Sequence, residues 1–206
     1  MKEFIHDCVE LLPSLVAIIA IIVGYKAWER ELRGTTKFNL YMSTLANFYQ
    51  ARDAIVDILR QNVFAGEGKS LAPTNDGDVL RRPEYLHYVY RERYSRHEAL
   101  FNDIQSQKYA FITLFGPETE KFFAELVGIL NDLSSTVAIL YDPDQGLCKL
   151  KDPTDEERNL IDICRRKLII TSEDQTADSF EFRINTIISN LEMIGESVQK
   201  KHKKRI

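Results

Sequence analysis

Residues 11–28 read LLPSLVAIIAIIVGYKAW, and the first fifteen of these positions carry no charge. An apolar helix of about 20 residues crosses the hydrocarbon core of a bilayer, and about 17 residues is the practical lower end. Tyr25 and Trp28 carry amphipathic rings that favour the membrane interface, and the ammonium of Lys26 can reach the headgroups. The run therefore predicts a short membrane anchor. Its anchor residues are Leu11, Leu15, Ile18, Ile19, Ile21, Ile22, Val23, Tyr25 and Trp28.

Two other interpretations of this run are a buried helix of a soluble protein and a cleaved signal peptide. A signal peptide has a positively charged start and a cleavage site of small residues. Residues 1–10 instead carry Lys2 against Glu3, Asp7 and Glu10, and the bulky sequence YKAWERELR follows the run. These features argue against cleavage and favour an anchor that is retained.

Basic residues beside the run predict its orientation. The cytoplasmic flank of a membrane span carries an excess of Lys and Arg, and four such residues follow the run whereas only Lys2 precedes it. We therefore expect a single-pass protein of the inner (cytoplasmic) membrane, with residues 1–10 outside and the remainder in the cytoplasm. The basic residues expected to face lipid headgroups are Lys26, Arg30, Arg33, Lys200, Lys201, Lys203, Lys204 and Arg205.

The composition bounds what the remaining chain can be. Of 206 residues, about 170 lie beyond the anchor, which is enough for one domain with a hydrophobic core. A net charge of −4 gives no overall field that attracts nucleic acid, so no nucleic-acid partner is expected. The cysteines Cys8, Cys148 and Cys164 lack the paired spacing of a disulfide scaffold or zinc site, which agrees with a reducing compartment.

Apolar residues recur at spacings of three and four in five segments after the anchor, which predicts five helices. Gly34 offers a break between the anchor and the first of them, although one continuous helix fits equally well. Mostly short connections favour antiparallel neighbours. The predicted fold is all-α, with an N-terminal transmembrane helix followed by an antiparallel helical bundle. The predicted helices span residues 36–63, 83–115, 117–140, 154–168 and 180–198.

This pattern divides the chain into four parts. They are a short extracytoplasmic N-terminus (1–10), the transmembrane helix and its stem (11–34), a cytoplasmic bundle (35–199) and a basic tail (200–206). Heptad stripes in residues 122–140 and 180–198 fit the interior of the bundle, or a seam with a second copy of the chain. The interior is the preferred interpretation, and a homo-oligomer would use both.

Residues 65–82, AGEGKSLAPTNDGDVLRR, are rich in turn-forming residues and predict a flexible surface loop. The GEGKS sequence is not a phosphate-binding loop, because Val63 stands where that motif needs a glycine and a helix precedes it instead of a strand. No cofactor is expected here. Similarly, Glu84 and His87 share a helix face, but no second Glu-x-x-His motif completes a di-iron site, so no metal is expected.

The stretch RERYSRHE, from Arg91 to Glu98, is the densest polar patch in any predicted helix. Its Arg91-x5-His97 spacing resembles the signature of HEPN ribonucleases, helical proteins in which arginine and histidine from paired protomers converge on RNA. The resemblance implies His97 as general acid or base and Arg91 as stabiliser of phosphate charge. Glu92 departs from the small polar residue usual in that family, and Arg93-His97 and Arg82-His87 match the spacing equally well. His97 also continues an apolar stripe, which favours a hydrogen-bonded core histidine.

The layout of the chain, with a YQARDAI sequence at residues 49–55, resembles small bacterial membrane proteins that carry one N-terminal span and a helical domain. That resemblance implies a sensing, accessory or defence role. Arg52 in this motif lies on an apolar stripe and is expected to be paired and partly buried. We expect a non-enzymatic interaction or scaffold protein that binds membrane lipid, itself and another protein. The alternatives are a membrane-tethered HEPN-like ribonuclease, and a ligand-sensing bundle with a pocket near Arg52 or Arg91.

Overall fold

The computed structural model describes the backbone of residues 2–71, 83–168 and 179–203, and the side chains of residues 20–71, 83–168 and 179–196. Within these ranges the protein is all-helical and has no strand. Single 3-10 turns at Pro117–Thr119 and Leu147–Lys149 flank the third helix. The five α-helices are α1 (Lys2–Leu59), α2 (Tyr85–Phe115), α3 (Glu120–Tyr141), α4 (Asp155–Leu168) and α5 (Phe180–Lys203).

Helix α1 joins the predicted anchor to the first bundle helix without interruption. Its 58 residues correspond to a rod of about 87 Å at 1.5 Å per residue. The helix passes through Gly34, and just beyond it the Thr36 hydroxyl donates a hydrogen bond to the carbonyl of Leu32 (2.9 Å). Of the two possibilities at Gly34, the continuous helix is therefore the one observed. The helix ends at Leu59, four residues before the predicted boundary.

The second half of α1 packs against α2 and α5, and α3 packs against α2, α4 and α5. The aromatic rings of three helices meet at the centre of this bundle. The Phe123 ring of α3 lies 5.7 Å from Phe48 of α1 and 5.7 Å from Phe111 of α2. These edge-on contacts bury large apolar area and fix the positions of the three helices.

Both predicted heptad stripes lie in the interior of the bundle, as preferred. The stripe on α5 is buried as far as Leu191, Ile194 is partly buried against the core, and the side chain of Val198 lies outside the described residues. The buried stripe residues are Phe122, Leu126, Ile129, Leu133, Val137 and Leu140 on α3, and Phe180, Ile184, Ile187 and Leu191 on α5.

Among the described residues, one helix is long and apolar enough to cross a membrane, namely α3 with its preceding turn, Pro117–Tyr141. A core helix of a soluble bundle has the same length and composition. Nine α3 residues are buried, and the helix contacts three neighbouring helices. The burial of α3 therefore follows from its place at the centre of the bundle.

Local sequence signals also form as predicted. Thr154 and Glu157 make the expected capping box at the start of α4, with the Thr154 amide donating to the Glu157 carboxylate (2.7 Å) and the Glu157 amide donating to the Thr154 hydroxyl (3.3 Å). After α3, the Asp142 carboxylate accepts hydrogen bonds from the amides of Asp144 (2.8 Å) and Gln145 (3.0 Å). These bonds close the turn that reverses the chain toward α4.

Candidate functional site

Residues 20–40 of α1 form a stem that the described part of the bundle does not bury. Among the described side chains, none from residue 20 to residue 40 is buried, and Tyr41 is the first buried residue. Near the end of the stem, Lys37 contacts the bundle by donating a hydrogen bond to the carbonyl of Leu114 in α2 (2.6 Å). Large apolar side chains on the stem are exposed by half or more. They include Ile21 (70%), Val23 (61%), Tyr25 (60%), Trp28 (59%) and Leu32 (51%).

Other predicted membrane residues divide between described and undescribed positions. Leu11, Leu15, Ile18 and Ile19 lie on the backbone of α1, but their side chains are outside the described residues, as are those of Lys200, Lys201 and Lys203 on α5. Lys204 and Arg205 lie outside the described chain altogether. On the stem, Lys26, Arg30 and Arg33 are exposed, and Arg33 also pairs with Glu29 (2.6 Å).

A buried charge cluster lies where α1 ends against α2. Arg93 of α2 is 1% exposed, and its guanidinium contacts the carboxylate of Glu67, 5% exposed, at 2.7 Å. Arg93 also donates to the carbonyls of Ile58 (3.2 Å), Arg60 and Asn62 (2.7 Å). The last carbonyls of a helix have no partner within the helix. Arg93 therefore caps the C-terminal end of α1 while it neutralises a buried carboxylate.

Glu67 is the common acceptor of this cluster. Its carboxylate accepts hydrogen bonds from Arg60 (2.9 Å), Arg96 (3.3 Å) and the amide of Phe64 (3.0 Å) in addition to Arg93. The hydrogen bond from Arg93 is the main reason that the pKa of Glu67 falls to about 2. The carboxylate is therefore ionised at neutral pH despite its burial.

Glu92 holds the GEGKS sequence against α2. Its carboxylate accepts from the amide of Gly68 (2.7 Å), the hydroxyl of Ser70 (3.1 Å) and the guanidinium of Arg96 (2.6 Å). The bond from Arg96 leads the contacts that lower the pKa of Glu92. An internal carboxylate thus occupies the donors that a phosphate-binding loop would offer to its ligand.

Residues 65–71, the described part of the predicted loop, form turns that are mostly exposed, as a surface loop requires, but two of these residues pack against α2. Glu67 and Gly68 are buried, and the Tyr85 hydroxyl donates to the carbonyl of Glu67. Gly68 has φ +80°, and a Cβ at this position would lie 3.1 Å from Val89. Residues 72–82 lie outside the described chain.

Arg91 and His97 do not converge within one chain. They are six positions apart on α2, which places them about 120° apart around the helix axis. Arg91 is exposed, whereas His97 is partly buried with its Nε2 3.1 Å from the carboxylate of Asp57. Asp57 also accepts from Arg60 (2.9 Å). The hydrogen bond predicted for His97 is present, but its side chain is 27% exposed and lies at the edge of the bundle instead of in the core.

Neither of the other two arginine and histidine pairs with this spacing forms a site among the described residues. Arg93 shares a helix face with His97 but is occupied by Glu67, and Arg82 lies outside the described residues. Burial lowers the pKa of His87, and nearby Arg91 lowers it further against the opposing effect of Asp142. In the described ranges, the buried His87 Nδ1 has no hydrogen-bond partner. No group of three His, Cys, Asp or Glu residues there could hold a metal ion.

Arg52 is paired and partly buried as predicted. It donates two hydrogen bonds to Asp53 (3.0 and 2.8 Å), and its guanidinium lies 5.3 Å from the Tyr49 ring. A cleft of 280 Å³ lies between α3 and α5. Neither Arg52 nor Arg91, the residues near which a ligand pocket was expected, lines this cleft. The cleft is lined by Lys121, Phe122, Glu125, Phe182, Arg183, Thr186, Ile187 and Asn190.

The density of polar residues marks the RERYSRHE stretch in the sequence but does not show which residues anchor it. Arg93 lies three residues after Tyr90 and four before His97, so it falls on the apolar stripe of α2. This position alone indicates a buried ion pair, because a charged residue on an apolar stripe is stable only when it is paired. Its partner Glu67 had no comparable signal, since it lies in a segment without periodicity.

The chain has no match among protein-family models, curated proteins or solved structures. Two features of its own structure bear on its function. One is an uncovered apolar stem continuous with the bundle, and the other is a buried charge cluster that closes the bundle on itself.

Proposed function

We propose that this protein is a membrane-anchored interaction or scaffold protein whose helical bundle binds a protein partner and a second copy of the chain. The observation that carries the proposal is the stem of α1, on which Ile21, Tyr25 and Trp28 are more than half exposed. Exposed apolar area costs roughly 25 cal/mol per Å² in water. A contiguous apolar surface of this kind is typical of a membrane or protein contact.

Membrane insertion accounts for the order of residues along the stem. The apolar run ends at Tyr25 and Trp28, whose rings lie 6.2 Å apart, and basic residues follow. Aromatic rings followed by Lys and Arg are the usual pattern at the cytoplasmic boundary of a span. The proposed location is the inner membrane of a bacterium, with the N-terminus outside and the bundle in the cytoplasm.

The charge cluster supports a structural role for RERYSRHE and a protein without catalysis of its own. Arg93, Glu92, Arg96 and His97 all have partners within the chain. Their contacts hold the end of α1 and the following turn against α2. By its resemblance to small bacterial membrane proteins, the proposed biological role is sensing, accessory or defensive, with the partner recognised by the bundle.

Alkaline carbonate washing of membranes tests the anchor. The unmodified chain should stay in the pellet, whereas the double variant Ile21→Lys/Val23→Lys should be released, because each charge in a span costs several kcal/mol. Glu31→Lys is the matched control, since it adds positive charge to an exposed stem position beyond the run. Recovery of the unmodified chain in the supernatant would contradict the proposal.

A thiol-labelling experiment tests the orientation. Asn102 is exposed on α2, and Asn102→Cys places a reactive group on the bundle surface. With Cys8, Cys148 and Cys164 replaced by Ser or Ala, a membrane-impermeant reagent should label this variant only after the cells are lysed. Labelling of intact cells would place the bundle outside the cytoplasm and overturn the orientation.

A further inference from the structure

A stripe with heptad spacing runs along the uncovered side of α1, from the apolar run into the bundle. Its spacing of four, three, four, seven and three residues is that of the a and d positions of a coiled coil. Every member is exposed, from 70% at Ile21 to 44% at Met42. The stripe consists of Ile21, Tyr25, Trp28, Leu32, Asn39 and Met42.

The stripe faces away from the other described elements of the chain. Successive residues of a helix are about 100° apart, which places Lys26, Arg30 and Arg33 on the side opposite to the stripe. Where α1 enters the bundle, Tyr41 and Phe48 are buried on that opposite side while Met42 remains exposed. No described part of the chain therefore covers the stripe.

Lipid cannot cover the far end of the stripe. Met42 lies fourteen residues beyond Trp28, about 21 Å along the helix axis. The headgroup region extends only about 5–8 Å beyond the hydrocarbon core. With Trp28 at the interface, Asn39 and Met42 are in the aqueous phase, so only protein could cover them.

The same stripe on a second copy of the chain is suited to cover these residues. Anchored copies stand parallel at the same height, so identical stripes meet in register. Asn39 would then face Asn39 of the other copy, and a polar residue at an a position is a device that fixes register in coiled coils. The flanking Glu29 is paired with Arg33 of its own helix, which reduces repulsion between copies.

The size of the stripe also fits a dimer. Its five apolar members include two large aromatic residues, and two copies would bury on the order of 1,000 Å². That area is close to the lower limit for a specific interface, and the anchors add contacts within the membrane. The opposite, basic faces of the two stems point outward toward solvent and headgroups.

We propose that two copies of this chain pair in parallel through the stripe of α1, as a coiled coil that begins at the membrane and continues to Met42. The pairing rests on the proposed anchoring, which holds the copies parallel. It deepens the proposed function by naming the surface that binds the second copy, which is the stripe of α1.

Disulfide cross-linking in native membranes tests the pairing. Cys8, Cys148 and Cys164 are first replaced by Ser or Ala, and one cysteine is then introduced as Leu32→Cys or Met42→Cys. Arg30→Cys is the control, because Arg30 is on the opposite face of the same exposed stem. Mild oxidation should give a product of twice the chain mass of 23.8 kDa at both stripe positions. At least tenfold less product is expected for Arg30→Cys.

The proposal is overturned by absence of the product at either stripe position, by equal yield at Arg30, or by a product of another mass. Carbonate washing of the same membranes separates this result from failure of the anchor. Chains that stay in the pellet without cross-linking disprove the interface alone. Chains released into the supernatant disprove the anchor.

Discussion

The stem of α1 and helix α3 are both strongly apolar, yet their environments are opposite. On the stem, Ile21 and Trp28 are more than half exposed, whereas Leu126 and Ile129 of α3 are completely buried. Length and hydropathy alone mark α3 as able to span a membrane. What separates the two is packing, because nine side chains of α3 are buried among three neighbouring helices, whereas no described side chain of α1 before Tyr41 is buried. Apolar composition therefore predicts that a helix is covered, but it does not show whether protein or lipid covers it.

The largest expected effect comes from shortening one leucine in each region. Leu126→Ala should lower the free energy of unfolding of the bundle by about 3–5 kcal/mol, because it opens a cavity among fully packed side chains. Leu32→Ala on the stem is the matched control and, in chains dispersed as monomers so that the proposed pairing does not contribute, should change it by less than about 0.5 kcal/mol. Chemical denaturation in mild detergent measures both, and equal losses would remove the distinction between the regions.

The charge cluster extends the comparison to a buried polar site. Arg93→Met keeps the aliphatic part of the side chain but leaves Glu67 without its main partner, which should cost about 3–4 kcal/mol. Arg91→Met, on an exposed position of the same helix, should have little effect. The same denaturation measurement applies. A small loss at Arg93 would mean that the guanidinium does not stabilise the end of α1.

Acid should weaken the bundle through Glu67. The folded pKa of this carboxyl is about 2, below its ordinary value of 4.5, so its contribution is fully present above pH 4.5. It is lost as the pH falls from 4.5 toward 2, with a total of about 3 kcal/mol. Unfolding measured between pH 6 and pH 3 should show a shallower decline in Glu67→Gln than in the unmodified chain. Parallel declines would contradict this assignment.

The smallest of these effects is expected at Gly68. Gly68→Ala requires an unfavourable positive φ and a close approach to Val89, and it should cost about 1–2 kcal/mol. Gly66→Ala is a useful control, since Gly66 also has positive φ (+99°) but open space around its Cβ position. A larger loss at Gly68 than at Gly66 measures the packing contribution by itself. Equal losses would show that backbone strain alone matters.

Much of the bundle could be predicted from periodicity, because a buried face repeats every three or four residues. The stripe from Phe122 to Leu140 is a clear case, and each of its members is buried as the spacing required. Gly34 could not be decided in the same way. A glycine in a helix interior costs only about 1 kcal/mol, which is too little to force a break.

The charge cluster could be predicted only in part for a different physical reason. Arg93 reaches Glu67 and the end of α1 across 26 and more positions of sequence. Such contacts depend on how the helices pack in three dimensions, and the local sequence pattern around each residue does not predict them. The stripe on the stem shows the converse, since its spacing is readable from sequence but only the structure shows that the bundle leaves it uncovered.

The uninterrupted course of α1 has a mechanical consequence. An α-helix transmits torsion along its length because each turn is hydrogen-bonded to the next. Trp28 at the proposed membrane boundary and Phe48 at the centre of the bundle belong to one such rod. A rotation of the anchor in the membrane would therefore turn the Phe48 ring against Phe123, with no flexible joint between them to absorb the motion.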